Sequence, residues 1–151
     1  MNVPSTGSPI LADVNLWLAT LVQQHPHHRG ALDWWRRQVL PNGHEVLFCR
    51  VTQLGLLRLL SDETVMGTSR RTPAQAWRDY ERLLEQGPVG YLEEPRHVDG
   101  SLRDHTVGRD ASAGLWTDAY LAAIAQEAGV PLATFDRGFR RFAGLRLYLL
   151  G

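Results

Sequence analysis

Short runs of consecutive apolar residues alternate along the chain with longer stretches in which apolar positions return every three or four residues. The first run, Ile10-Leu11-Ala12, passes through Asp13-Val14-Asn15 into helical spacing around Leu16 to Gln24, which predicts a buried strand with polar residues at its end and then a helix. From His28 to about Val39, Ala31, Leu32, Trp35 and Val39 form the stripe of an amphipathic helix, stopped by Pro41-Asn42-Gly43. Val46-Leu47-Phe48-Cys49 predicts a second buried strand, and Thr52 to Leu60 a helix with leucines over most of one face. Ser61 to Arg71 is polar, contains Gly67 and reads as a mobile loop. Thr72-Pro73 is a cap and first turn for a helix ending near Gly87-Pro88. Val89 to Leu92 predicts a third strand, Arg96 to Arg109 a helix and Gly108 to Gly114 a loop. Thr117 is placed to cap a helix from Asp118 to Ala128 that Gly129 closes. Pro131 to Phe135 then reads as a strand ending at Asp136, and Leu145 to Leu149 as the last strand.

Strands separated by helices require right-handed crossovers, which give a mostly parallel sheet with helices on both faces. The 151 residues, 44% of them hydrophobic, supply one sizeable core and hardly two, so residues 1–151 are read as a single domain. Sixteen basic residues balance sixteen acidic ones, so bulk positive charge gives no case for nucleic-acid binding and any such case must rest on local clusters. The single cysteine, Cys49, cannot form an internal disulfide, and its neighbours Leu47 and Phe48 mark a buried thiol. The Pro/Gly/Ser-containing N-terminus lacks the basic and apolar regions of a signal peptide, and no apolar run is long enough to span a bilayer. These features predict a soluble, cytoplasmic protein with no membrane partner.

In open parallel sheets the functional crevice lies beyond the carboxyl ends of the strands, where Asp13 and Asp136 are both expected. Asp118, in the first turn of the helix before the Asp136 strand, is placed to bring a third carboxylate to the same rim. Gathered carboxylates repel one another and raise each other's pKa unless a cation neutralises them, so bound Mg²⁺ or Mn²⁺ best explains such a cluster. A metal so held activates water and polarises a phosphoryl oxygen, the two requirements of phosphodiester hydrolysis. Taken singly, the three aspartates also fit ordinary places: a strand-end turn, a helix N-terminus and a loop.

Leu11-Ala12-Asp13-Val14-Asn15, Thr117 to Ala125 (Thr-Asp-Ala-Tyr-Leu-Ala-Ala-Ile-Ala) and Leu132 to Phe139 (Leu-Ala-Thr-Phe-Asp-Arg-Gly-Phe) together resemble the PIN-domain family, especially the VapC-type toxins of toxin–antitoxin pairs. The resemblance spans almost the whole chain and implies a three-layer α/β/α fold. It further implies a metal-dependent endoribonuclease, a hydrolase with Asp13, Asp118 and Asp136 as catalytic and Mg²⁺- or Mn²⁺-binding acids. RNA substrate, a cognate antitoxin and a homodimer are implied with it. Gln53 stands where the resemblance leads one to expect a glutamate, which removes one charge and a general base but leaves an amide oxygen in a supporting role. Asn15 and Thr134 match polar positions that support the acids. Glu63, in the following loop, is a candidate to compensate for the missing carboxylate, although a solvated loop acid explains it more readily.

Arg137, Arg140, Arg141 and Arg146 follow Asp136 and are either phosphate contacts beside the metal or a solvated basic turn. His25-Pro26-His27-His28 invites a zinc reading, but no cysteine or spaced second histidine pair completes a tetrahedral site. Trp34, Trp35, Trp77 and Trp116 lie in or beside helices, which points to core packing ahead of base stacking. Two rivals remain. One is a catalytically weak nucleic-acid or protein-binding module, kept open by Gln53. The other is a phospho-accepting receiver domain, disfavoured by the late position of the aspartates and the lack of any lysine.

Overall fold

Five three-residue strands, β1 (Ile10–Ala12), β2 (Val46–Phe48), β3 (Val89–Tyr91), β4 (Leu132–Thr134) and β5 (Leu147–Leu149), form one sheet in the order β3-β2-β1-β4-β5. Every pairing in it is parallel. This is a computed structural model that describes residues 7–151; the first six residues, part of the lead-in read against a signal peptide, lie outside the described residues.

β1, β2 and β4 are buried along their whole length, as strands covered on both faces must be. Successive side chains point to opposite faces and so divide between two cores. Ile10, Ala12, Val46, Phe48 and Ala133 pack with Leu16, Trp17, Leu56 and Tyr80 on one face. Leu11, Leu47 and Leu132 pack with Leu115, Ala119, Ala122 and Ile124 on the other. The expected three-layer α/β/α arrangement is therefore present. Among the described residues, no helix is long and apolar enough to cross a membrane.

The first layer holds α1 (Val14–Leu21), α2 (His28–Trp34), α4 (Arg50–Leu60) and α6 (Pro73–Gln86); the second holds α7 (Val98–Thr106) and α8 (Leu115–Ala128). A π turn (Trp35–Val39) carries α2 into a last turn, α3 (Leu40–Asn42), and Gly43 ends it with a left-handed φ of 67°. The wider turn gives the Pro41 ring room that a regular turn denies it. α6 matches its sequence signature, with the Thr72 side chain accepting from the Gln75 amide and Gln75 answering the Thr72 amide.

Several boundaries differ from the sequence reading. α1 begins at Val14, not Leu16, because Asp13 is its N-cap and accepts from the Val14 amide. α4 likewise begins at Arg50, since Thr52 and Cys49 bond reciprocally at its start. The segment expected to be a loop after α4 contains α5 (Glu63–Met66), capped by Asp62, and a 3-10 turn (Gly67–Ser69). α8 starts at Leu115 with Gly114 as its N-cap residue, so Thr117 lies inside the helix and does not cap it.

Candidate active site

β1 and β4 are neighbours at the centre of the sheet, yet the chain leaves β1 toward β2 and leaves β4 toward β5. The connections diverge, so a crevice opens beyond the carboxyl ends of these two strands. Asp13 follows the last residue of β1 directly, and Asp136 follows the end of β4 by two. Asp118 stands in the first turn of α8, where its backbone N–H donates to Gly114 O at 3.0 Å.

Asp13 is buried and fixed on every side. Its backbone N–H donates to Ala133 O at 3.0 Å, its Oδ1 accepts from Val14 N–H at 2.7 Å, and its Oδ2 accepts from the Thr134 hydroxyl at 2.8 Å. Thr134, fully buried, also accepts from the Asp136 amide at 3.0 Å, so one hydroxyl ties the two strand ends together. Asp136 Oδ1 accepts from Gly138 N–H at 2.7 Å and caps a 3-10 turn (Arg137–Arg141). Arg141, on that turn, reaches back to Asp118 Oδ2 at 3.0 Å.

Two of the three carboxylates, Asp13 and Asp118, are displaced from the ordinary range. Burial raises the pKa of Asp13 first, hydrogen bonds from Thr134 and Val14 oppose it, and the charge of Asp136 adds to the rise. Asp118 is pushed up to about 6, by burial first and then by Asp13, with Arg141 pulling down and Asp136 pushing up. The fold thus brings Asp13 and Asp136 to the ends of neighbouring strands and Asp118 within range of their charges.

Among the described residues, no group of three or more His, Cys, Asp or Glu side chains is set to clasp one ion directly. The site nevertheless fits a hard divalent cation, because its donors are all oxygen and its carboxylates repel one another. Mg²⁺ in particular keeps much of its water and is held by one or two carboxylates rather than a full protein cage. The hydrogen bonds engage Oδ2 of Asp118 and Oδ1 of Asp136 and leave the other oxygen of each for a further partner.

The other candidate residues have partners or exposed positions of their own. Gln53 is buried, its carbonyl oxygen accepts from Arg50 at 2.6 Å, and it hydrogen-bonds Tyr80. It therefore faces Arg50 and Tyr80. Glu63 pairs with Arg70 at 3.7 Å on the exposed surface of α5. Asn15 is exposed on the first turn of α1. Arg137 and Arg140 are exposed on the turn after Asp136, but Arg146 donates to Gly129 O beside the start of β4, the opposite end from Asp136. Trp34 is buried and Trp35 partly so, whereas Trp77 and Trp116 are exposed, which corrects the expectation that all four pack in the core.

The sequence reading overlooked one contact. The exposed His27 ring stacks on Phe135, with centroids 4.3 Å apart and planes 9° from parallel. The His-Pro-His-His segment thus packs on the residue that precedes Asp136, and the clue was its aromatic character rather than its metal-ligating nitrogens.

Known proteins match this chain over nearly its whole length. Ribonuclease VapC41 of Mycobacterium tuberculosis is 35% identical over 145 residues, covering 93% of this chain and 98% of the relative. Two solved structures share the fold. VapBC2 from Rickettsia felis, bound to a DNA fragment from their promoter, superposes with TM-score 0.69 at 11% identity, over 95% of this chain and 99% of that one. VapBC-1 from nontypeable Haemophilus influenzae gives TM-score 0.65 at 18% identity, over 93% and 97%. The model of the PIN domain matches residues 10–145, a span that holds β1, β4 and all three aspartates, and the chain belongs to the PIN-domain family.

Proposed function

We propose that this chain is an endoribonuclease, the toxin of a type II toxin–antitoxin pair, hydrolysing RNA phosphodiesters with water and Mg²⁺ or Mn²⁺ held by Asp13, Asp118 and Asp136. One observation carries the reading: the buried Thr134 hydroxyl ties Asp13 and Asp136 together at the ends of neighbouring strands, and Asp118, pushed up to about 6 by burial first, also feels the charge of both. The similarity to ribonuclease VapC41 supports it.

When bound, the metal supplies positive charge that polarises a phosphoryl oxygen and acidifies a water. The protein's own residues set the frame for that chemistry. Asp13 is held in one rotamer by Val14 and Thr134, so its charge has a fixed position. Thr134 passes that order to the Asp136 backbone. Arg141 lies against Asp118 and offsets part of its charge, and the exposed Arg137 and Arg140 offer guanidinium groups to flanking phosphates. Gln53 keeps a supporting role, its amide oxygen held by Arg50, and contributes no charge in place of an acid.

The same reading makes a cognate antitoxin and a second copy of the chain the protein partners. A cleft of about 400 Å³ beside Val14 and Thr117, with the exposed Leu54 on its wall, supports a protein contact next to the acids. The rival, a binding module without useful catalysis, is favoured by the absence of three ligands set to clasp an ion among the described residues. Incubating the protein with structured and single-stranded RNA in Mg²⁺, Mn²⁺ or chelator, beside Asp13→Asn, separates the two. Metal-dependent cleavage lost in Asp13→Asn is the expected result; RNA binding without cleavage in any metal would leave the binding module.

A further inference from the structure

The loop between α1 and α2 is a built structure. His25 Nδ1 accepts from the His27 amide at 3.1 Å, His28 Nδ1 lies 2.7 Å from Ala19 O, and His27 O accepts from Ala31 N–H at 2.9 Å. Burial, then the neighbouring His27 and His28, push the pKa of His25 down, so the ring that anchors the loop stays neutral and free to accept. These bonds present the His27 ring flat against Phe135. Gly30 lies beside the same ring, where a Cβ would stand at ordinary contact distance, 3.4 Å, from the Phe135 ring edge. Phe135 in turn sits between Thr134, which holds Asp13, and Asp136 itself.

A parallel pair of aromatic rings, one partly buried and one exposed, is therefore fixed on the residue that precedes Asp136 in the chain. We propose that the His27–Phe135 stack is a shelf for one nucleobase of single-stranded RNA, positioning the nucleotide next to the scissile phosphate. This rests on the ribonuclease reading above. Every base has a π face that can add to such a stack, and unpaired bases are free to do so while bases inside a duplex are already stacked. Arg29 and Arg137, both exposed and close in sequence to the shelf and to Asp136, offer cations to the phosphates on either side. His27 is thus a substrate-positioning residue that favours unpaired RNA, and the acids remain the chemical centre.

The test uses the full chain carrying Asp13→Asn, so that RNA is bound in Mg²⁺ without being cut. The probe is a mixed-sequence single-stranded oligoribonucleotide with 2-aminopurine, whose fluorescence falls on stacking, walked one position at a time. One position should be quenched on binding. His27→Ala should abolish that quench and weaken binding about tenfold, while His27→Phe should restore both. His27→Leu, which keeps bulk without an aromatic face, should behave like His27→Ala and guards against a folding defect in the smaller variant. Binding and quenching unchanged in His27→Ala and His27→Leu would overturn the shelf and leave the ribonuclease reading standing. Failure of the parent protein to bind RNA at all would overturn both. In the cleaving protein, the shelf requires His27→Ala to raise KM much more than it lowers kcat.

Discussion

Replacing Asp118 with asparagine should make the metal-free protein more stable at neutral pH while destroying its activity. The carboxyl of Asp118 is pushed from 3.8 up to about 6 by burial, by Asp13 and by Asp136. At about 1.4 kcal/mol for each tenfold change in proton affinity, ionising it in the folded protein at neutral pH costs about 3 kcal/mol relative to the unfolded chain. The side chain is 24% exposed, and solvent screening reduces the effect to about 1–2 kcal/mol. Because the folded pKa lies above the unfolded one, this stability is fully present below pH 3.8 and is lost as pH rises through about 6. The burial-raised Asp13 acts in the same direction. The amide of the Asp118→Asn variant cannot ionise, so the wild type should lose stability relative to that variant between about pH 4 and pH 6, and the gap should stay constant above that. For a chain of this length about 1 kcal/mol moves Tm by roughly 3 °C, so the variant should melt about 3–6 °C higher at about pH 7.5 in chelator. Adding Mg²⁺ should narrow or reverse the gap, because the ion binds the wild type more tightly and stabilises it by mass action. Thermal melts of both proteins from about pH 4 to 8, with chelator and with Mg²⁺, provide the measurement. A variant no more stable than the wild type at the upper end of that range, or a gap independent of pH, would refute the picture of an Asp118 carboxylate strained by burial and by its acidic neighbours.

Thr134→Val leaves Asp13 Oδ2 and the Asp136 amide without their shared hydroxyl, so it should lower stability by about 1–3 kcal/mol by chemical denaturation and cut kcat. Thr134→Ser should recover most of both losses, and a Val variant as active as the wild type would deny the hydroxyl any part in ordering the acids. Gln53→Glu should change kcat/KM by no more than about twofold, because position 53 is engaged with Arg50 and Tyr80. A gain of about tenfold or more in a steady-state cleavage assay would instead show that position 53 reaches the acidic crevice.

The strands were legible in the sequence because β1, β2 and β4 are buried on both faces and therefore read as unbroken apolar runs. Asp13 and Asp136 were legible for the same reason: each interrupts such a run where a strand must end. Helix starts were less visible, since α1 and α4 open on Asp13 and Cys49, residues already claimed by the strand pattern. Arg146 looked like a neighbour of Asp136 along the chain, but the parallel register of β4 with β5 carries it to the far end of the strand. The direction of Gln53 depends on Arg50 and on Tyr80, a residue of α6, and only the packing of α4 against α6 reveals it. The stack of His27 on Phe135 joins two segments far apart in the chain, and periodicity within either segment carries no sign of it.

The three acids differ in how firmly the fold holds them, and that difference bears on how the site works. Asp13 is a helix cap, a partner of Thr134 and the acceptor of two further amides, Leu16 and Trp17, through its backbone carbonyl. Moving it would disturb β1 and α1 together. Asp136 is held by Thr134 and Gly138 and serves as the cap of its own turn. The carboxylate of Asp118 is held by a side chain, Arg141, whose guanidinium also lies 4.9 Å from the centre of the Phe142 ring. Its pKa of about 6 is the value most exposed to change by a neighbouring cation. Two carboxylates therefore form a rigid frame, and the third sets the net charge of the crevice. A divalent ion at the Asp118 oxygen that Arg141 leaves unengaged would lower this pKa in the same direction as the guanidinium does. Arg141 and a bound cation would therefore act together on Asp118, and it is at this residue that pH and metal should be most strongly linked.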